Sequence, residues 1–293
     1  MSEIAGSGCD VLLPLSELKP LDEIERSIIK RYKKALMSKF IKAIMDYKMI
    51  EEGDRVAVAM SGGKDSLIMA KLFQELQKHG RIKFELEFIV MDPGYHENIK
   101  ELLISNCKHL EIPIQIFESY IFDVVDRIAR DYPCYMCAKM RRGALYNKAQ
   151  ELGCNKLALG HHFNDVIETT FLNIAYTGSF KTMLPKLKSA NFDKLELIRP
   201  MYYIEEKDII NFTQNSGIQA LNCACMVAAK KTGNKRYEIR ALIEELKGRF
   251  DGFDKKLFKA AENVNIEAIL GWQKGGKKYS YLDFYDEGTT DEE

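Results

Sequence analysis

The residues Ser61-Gly-Gly-Lys-Asp-Ser66 are the densest concentration of chemistry in this chain. Two glycines let the backbone turn sharply and aim its N–H groups at a bound anion. Ser61 and Ser66 add hydroxyl donors, and Lys64 adds a cation expected to face phosphates. The helical pattern from Leu67 onward adds the positive end of its dipole. Together these make a phosphate cradle. It is neither G-x-x-x-x-G-K-[ST] nor G-x-G-x-x-G. An ordinary strand–turn–helix corner needs no such polar set around paired glycines.

Two further groups could complete a site. Gly160-His161-His162 is followed by Asp165, which begins a helical pattern. Asp165 is therefore either a helix cap or, beside a phosphate site, a carboxylate placed for a metal ion such as magnesium or for a reacting oxygen. Either histidine is open to loop hydrogen bonding or proton transfer. Asp92, in Asp92-Pro93-Gly94, could cap its turn or meet a ribose. Cys134-Tyr-Met-Cys137 precedes a helix carrying Lys139, Arg141 and Arg142, and Cys223-Ala-Cys225 lies far downstream. Cations and a helix N-terminus favour thiolates. Spacing leaves three readings open: an iron–sulfur cluster on Cys134, Cys137 and one later cysteine, a four-cysteine zinc site, or a redox dithiol. Arg141 and Arg142 are either helix surface or a clamp for pyrophosphate or RNA. Cys9, Cys107 and Cys154 read as small buried hydrophobes.

These groups need a scaffold. The apolar runs at 55–60, 84–91, 112–117, 157–159 and 195–198 have strand character. Helical patterns at 96–110, 138–152, 165–176 and 205–216 fill the gaps. Alternation with long connections predicts an α/β fold, a doubly wound parallel sheet covered on both faces. Ligands then collect at the carboxyl ends of strands, where the Ser61 loop, Asp92 and Gly160-His161 all fall. Residues 1–20 read as a loose arm and residues 21–48 as one long basic amphipathic helix, with Ile24, Ile28, Ala35, Phe40, Ile41 and Ile44 apolar. Helices at 237–247 and 254–270 and a surface tail from Gly275 complete the chain. The expected division is an N-terminal arm and helix at 1–50, an α/β phosphate-binding domain at 51–222 and a helical C-terminal extension with an acidic tail at 223–293.

The 293 residues carry no net formal charge, so total charge does not point to nucleic acid. Between Arg26 and Lys48, however, eight basic residues face Asp46 alone. A second basic run holds Lys230, Lys231, Lys235, Arg236 and Arg240. Local basic surface binds phosphates even when the total balances. No apolar run approaches the roughly 20 residues that span a bilayer, and the first ten residues lack signal-peptide features. A cytoplasmic location, no membrane partner and no disulfide framework are the resulting expectations.

The S-G-G-x-D-S pattern resembles the PP-loop of the ATP pyrophosphatases, which cleave ATP between its α- and β-phosphates and adenylate an acceptor. Cys134-Tyr-Met-Cys137-Ala-Lys-Met-Arg141-Arg142, Leu159-Gly160-His161-His162-Phe-Asn-Asp165, Arg199-Pro200 and Glu206-Lys207-Asp208 follow in order. Together they resemble the tRNA 2-thiocytidine synthetase family over about residues 21–250. The resemblance implies a Rossmann-like fold and adenylation of the C2 oxygen of a tRNA cytidine in the anticodon loop. It implies ATP, magnesium and a [4Fe-4S] cluster as cofactors, and a sulfur donor such as a cysteine desulfurase or sulfide. It implies homodimers. Nucleotide contacts are implied for Ala59, Met60, Ser61, Gly62, Gly63, Lys64, Asp65, Ser66, Met91, Asp92, Gly160 and His161, and catalytic roles for Lys64 and Asp165. Cluster ligands are implied at Cys134, Cys137 and one of Cys223 and Cys225, with Cys225 favoured. Two features depart from the family pattern. The late cysteines are spaced C-x-C rather than C-x-x-C, and Asn164-Asp165 stands where two aspartates are usual. The same motif leaves other targets open: 2-thiouridine, a different acceptor, or an ATP- and cluster-binding sensor without turnover.

Overall fold

The computed structural model describes residues 11–95, 97–119, 133–221 and 233–287. Ten strands are named in chain order: β1 Val11–Leu12, β2 Arg55–Met60, β3 Glu85–Asp92, β4 Ile114–Glu118, β5 Lys156–Ala158, β6 Lys186–Lys188, β7 Glu196–Ile198, β8 Ala220–Leu221, β9 Gly271–Lys274 and β10 Lys277–Ser280. The helices are α1 Leu21–Ile29, α2 Ser38–Asp46, α3 Lys64–His79, α4 Glu97–His109, α5 Pro133–Glu151, α6 Phe163–Thr177, α7 Glu206–Asn215, α8 Gly233–Arg249 and α9 Phe253–Ala260.

The central sheet has the order β4-β3-β2-β5-β7-β6. All its pairings are parallel except that β6 runs antiparallel on the β7 edge, an addition to the expected all-parallel sheet. From β2 the chain first winds outward through β3 and β4, then returns to place β5 on the other side of β2. The switch point between β2 and β5 opens a crevice at their carboxyl ends.

Strand alternation sorts the core into two layers. Val56, Val58 and Met60 point towards α3, where they meet Leu67, Ile68, Leu72 and Phe73. Ala57 points the other way, with Ile89, Leu157 and Leu197, against Tyr146 and Ala149 of α5. Cys154 joins this second layer and Cys107 the first, both buried as small hydrophobes. Burial pushes their thiols up to about 11 and about 12 respectively, so neither is a ready thiolate.

The segment 21–48 is not one continuous helix. A π turn, Lys33–Met37, separates α1 from α2, and Tyr32 N–H donates to the carbonyl of Ser27, five residues back. The cause is visible in the spacing. The inward positions Ile24, Ile28, Tyr32, Leu36, Phe40 and Ile44 recur every four residues. A straight α-helix with 3.6 residues per turn would carry that stripe progressively off the core, and one wide turn restores it. Phe40 then meets Phe73 edge-on at 5.1 Å and Tyr32 meets Phe212 at 5.2 Å. Ile41, expected inside, is instead 38% exposed. Lys71, almost fully buried on α3, pairs with Glu25 at 2.7 Å and ties α1 down.

Both ends differ from expectation. Residues 11–20 are pinned rather than loose: β1 pairs with β8, Leu15 N–H donates to Gln214 O, and Lys19 N–H to Ser216 O. After α9, which stops at Ala260 rather than continuing to 270, Asn265 caps a short 3₁₀ turn. Residues 271–287 are folded as well. Gly275 and Gly276, at φ +59° and +79°, close a two-residue hairpin between β9 and β10. Trp272 stacks on Tyr279 and on Phe284, at 5.4 Å from each, and the three rings form one cluster.

Candidate nucleotide-cleaving site

The phosphate loop leaves β2 at Met60 and enters α3 at Lys64. Gly62 sits at φ +77°, and a Cβ there would come within 2.9 Å of Leu103 and Leu221. Only glycine satisfies both the left-handed backbone and that close approach. Gly62 O accepts Leu221 N–H at 3.2 Å, so β8 braces the loop from behind. Ser66 Oγ donates to Gly63 O at 2.9 Å and accepts Ser61 N–H at 3.2 Å. No side chain among the described residues caps α3, so its first-turn N–H groups stay available to an anion.

Gly160 comes from the carboxyl end of β5 and lies against this turn. A Cβ on Gly160 would sit 3.4 Å from Asp65 C and 3.5 Å from Ser66 N. The structure thus brings the Ser61 loop and the Gly160-His161-His162 loop together at the switch point. Met60 and Met91 are buried near the same strand ends, and Ala59 is half-buried. Asp92 is engaged locally. Its Oδ1 accepts the N–H groups of Gly94 and Tyr95 at 2.9 and 2.8 Å, and Oδ2 pairs with Lys100 at 3.1 Å.

Charge is concentrated around Lys64. Its buried ammonium lies 3.3 Å from Asp65 and 3.1 Å from Glu206. Burial alone would lower the Lys64 pKa, but these two carboxylates outweigh it and raise the value. Asp65 and Asp165 are driven apart. Burial raises Asp65, with Lys64 and His162 only partly opposing and Asp165 adding to the rise. Burial also works to raise Asp165, but His162, His161 and Arg236 together hold it below the usual carboxylate range. Asp65 Oδ1 is buried with no hydrogen-bond partner among the described residues.

Asp165 is the third residue of α6, and its Oδ2 accepts His162 N–H at 3.0 Å. The capping and charge readings therefore both describe its geometry, because its other oxygen meets Arg236 at 2.9 Å. Asn164, where a second carboxylate was missing, accepts the Glu206 N–H at 2.9 Å and fixes the start of α7. His162 is buried 3.8 Å from Asp65 and 3.5 Å from Asp165. His161 receives a hydrogen bond from Arg199 Nε at 3.3 Å. Burial, reinforced by Arg199 and Arg236, lowers His161 to about 4, which makes it a neutral imidazole at physiological pH. Arg199, itself lowered to about 10 by burial and by Arg142, also donates to Leu184 O.

Sequence reasoning missed Glu168, Glu206, Arg199, Arg236 and Arg240 as site members. Glu168 follows Asp165 by three residues and so shares its helix face, and Arg199 and Glu206 lie in the Arg199-Pro200 and Glu206-Lys207-Asp208 motifs, so each carried a signal. The basic run containing Arg236 and Arg240 was visible, but not its partners.

Cys134 and Cys137 stand one turn apart at the start of α5. Their side chains, and Cys223 and Cys225 entirely, lie outside the described residues, as do Lys230 and Lys231. Arg142 is exposed on α5 and Arg141 half-buried. Among the described residues no group of three or more His, Cys, Asp or Glu is arranged to hold a metal ion. No helix among the described residues is long and apolar enough to cross a membrane.

A family model described as a PP-loop domain matches residues 24–222. The tRNA-cytidine(32) 2-sulfurtransferase of Pelobacter propionicus is 36% identical over 237 residues, which cover 80% of this chain and 87% of that protein. The enzyme of the same name from Vibrio cholerae is 37% identical over 227 residues, covering 76% and 71%. Among solved structures, the U34-tRNA thiolase NcsA from Methanococcus maripaludis with its [4Fe-4S] cluster matches with a TM-score of 0.61. Its sequence identity is 22%, and the match covers 82% of this chain and 81% of that one. At that identity it speaks for the fold.

Proposed function

From the premise that this chain belongs to the PP-loop family that includes the tRNA-cytidine(32) 2-sulfurtransferases, we propose that it is an ATP-dependent tRNA thiolase forming 2-thiocytidine in the anticodon loop. The observation that carries this reading is the meeting, at one switch point, of the glycine turn, buried Lys64 and the oppositely shifted Asp65 and Asp165.

In this reading the first-turn N–H groups of α3, Ser61 and Lys64 hold the phosphates. The cytosine O2 attacks the α-phosphorus, the bond to the β-phosphate breaks, and pyrophosphate departs. Hydrosulfide then attacks C2 of the adenylated base. The C2–O bond breaks, AMP leaves with the former base oxygen, and the sulfur-bound proton is released. Sulfur enters and leaves as sulfide, so no electrons need a separate acceptor. Asp165, held ionised, stabilises positive character near the reacting oxygen, and neutral His161 offers a hydrogen-bonding edge without competing charge.

Magnesium would neutralise charge on the departing pyrophosphate. Asp65, whose buried Oδ1 has no partner among the described residues, fits it, because magnesium is commonly held by one or two carboxylates and the phosphates themselves. A [4Fe-4S] cluster on Cys134, Cys137 and one of Cys223 and Cys225 would supply the sulfide; thiolate donors suit it. The ATP-cleaving unit in this proposal spans residues 51–222. Its partners are tRNA, a sulfide source such as a cysteine desulfurase and a second copy of the chain, in the cytoplasm.

Mass spectrometry of tRNA nucleosides from cells with and without the gene tests the reading. Loss of 2-thiocytidine on deletion, restored by the wild-type gene, supports it. Loss of 2-thiouridine instead moves the target to another base, and an unchanged nucleoside profile removes the thiolase reading.

A further inference from the structure

Glu168 is 2% exposed, and both its oxygens are taken by arginines of α8. Oε2 accepts from Arg236 Nε at 2.9 Å and Oε1 from Arg240 Nε at 2.8 Å. With each guanidinium held by its inner nitrogen, the outer nitrogens turn towards the site. Arg236 reaches Asp165 at 2.9 Å and Arg240 reaches Glu206 at 3.4 Å. Glu206 in turn contacts Lys64, the first residue after the glycine turn. Both arginine side chains remain nearly half exposed, 49% and 42%, so an incoming anion can reach them. Their helix is fixed in place: Ile239 and Ile243 of α8 pack against Phe163 and Ile167 of α6.

Two forks held from behind and aimed at one site suit an anion clamp. Guanidinium forks match phosphate oxygens in pairs, and their present outer partners are carboxylates that a triphosphate can replace. Glu168 faces inward and keeps its hold. We propose that Arg236 and Arg240 bind the β- and γ-phosphates of ATP and the pyrophosphate leaving group, with Glu168 as the positioning residue that aims both forks. This rests on the ATP-cleaving reading above. It extends the nucleotide site beyond the PP-loop match at 24–222 into the helix that follows the late cysteines. It also gives Asp165 a second state, released from Arg236 when phosphate arrives.

The test is calorimetric titration of the full-length protein with magnesium and, separately, ATP, inorganic pyrophosphate and AMP. The variants are Arg236→Met, Arg236→Lys, Arg240→Met and Glu168→Gln. AMP lacks the two outer phosphates and reports on fold and base binding alone. Losing a charge-assisted contact should weaken ATP and pyrophosphate about tenfold or more in both methionine variants. AMP affinity should stay within about twofold. Arg236→Lys should recover part of the loss, and Glu168→Gln should show the same selective pattern more weakly. Unchanged pyrophosphate affinity in both methionine variants overturns the clamp. So does a loss of AMP affinity equal to that of ATP, which is what a purely structural role produces. If the wild-type protein binds neither ATP nor pyrophosphate, the ATP-cleaving reading fails with it. If the wild type binds both and the variants match it, the clamp alone fails.

Discussion

Gly62→Ala isolates the physical demand of the phosphate loop. Gly62 lies at φ +77°, where an L-residue costs about 1–2 kcal/mol. Its new Cβ would also stand 2.9 Å from the terminal carbons of Leu103 and Leu221, both buried. Forcing an extra carbon into packed surroundings costs a further ~1–3 kcal/mol. The expected destabilisation is therefore about 2–5 kcal/mol, a large part of the stability of an ordinary domain. Gly53 supplies the control, because it lies at φ +83° with nothing within 4 Å of an added Cβ. Gly53→Ala should incur only the backbone part, about 1–2 kcal/mol. Urea unfolding with linear extrapolation measures both, and the difference between them is the packing contribution of the loop. Shifting Leu221 also disturbs its hydrogen bond to Gly62, so ATP affinity should fall in Gly62→Ala and not in Gly53→Ala. The reasoning is refuted if the two variants are equally stable, or if Gly62→Ala keeps wild-type ATP affinity.

Other perturbations separate the remaining roles. Gly63→Val should abolish ATP binding, because its Cβ starts 3.3 Å from Leu221 O and its branch occupies the phosphate space; unaltered affinity would count against the cradle. Lys64→Ala should weaken ATP binding less completely, read in the same titration. Asp165→Asn keeps the shape of the α6 start and removes the charge, so ATP should bind while thiolation falls sharply; full activity would leave only the helix-capping role. His161, lowered to about 4 from an ordinary 6.5, is neutral when folded, so the unfolded chain binds more protons between those values. Stability should thus decline as pH falls from about 6.5 to about 4, by at most roughly 3 kcal/mol, and His161→Gln should flatten that slope in pH-dependent unfolding. Anaerobically purified protein should be brown, and Cys134→Ala and Cys137→Ala should each bleach it, but only one of Cys223→Ala and Cys225→Ala, with Cys225 the favoured ligand. A colourless protein holding one zinc released by all four replacements would close the site and remove sulfide delivery.

The parallel sheet was legible because β2 and β3 are apolar runs that alternate with helical patterns, and the Ser61–Ser66 chemistry sits between β2 and α3. The positions of Lys64 and Asp165 followed from that order. What escaped was non-local or finely spaced. β1 and β8 are two residues each and lie about two hundred positions apart, comparable to the separation of 198 between Ser16 and Gln214, so no local pattern announces their pairing. The four-residue recurrence from Ile24 to Ile44 is close enough to helical spacing to hide a π turn. Arg236, Arg240 and Glu168 read as surface charges until the packing of α8 on α6 brings them together. Gly275-Gly276 flanked by Trp272 and Tyr279 did carry a hairpin signal, which the surrounding lysines obscured.

The most direct measurement combines the purified protein, anaerobically, with ATP, magnesium, sulfide and unmodified tRNA transcript, and follows nucleosides and nucleotides together. The account predicts 2-thiocytidine appearing with one AMP and one pyrophosphate for each sulfur incorporated, and none of the three with Asp165→Asn. ATP bound without turnover, or AMP formed with no sulfur entering the tRNA, would contradict it.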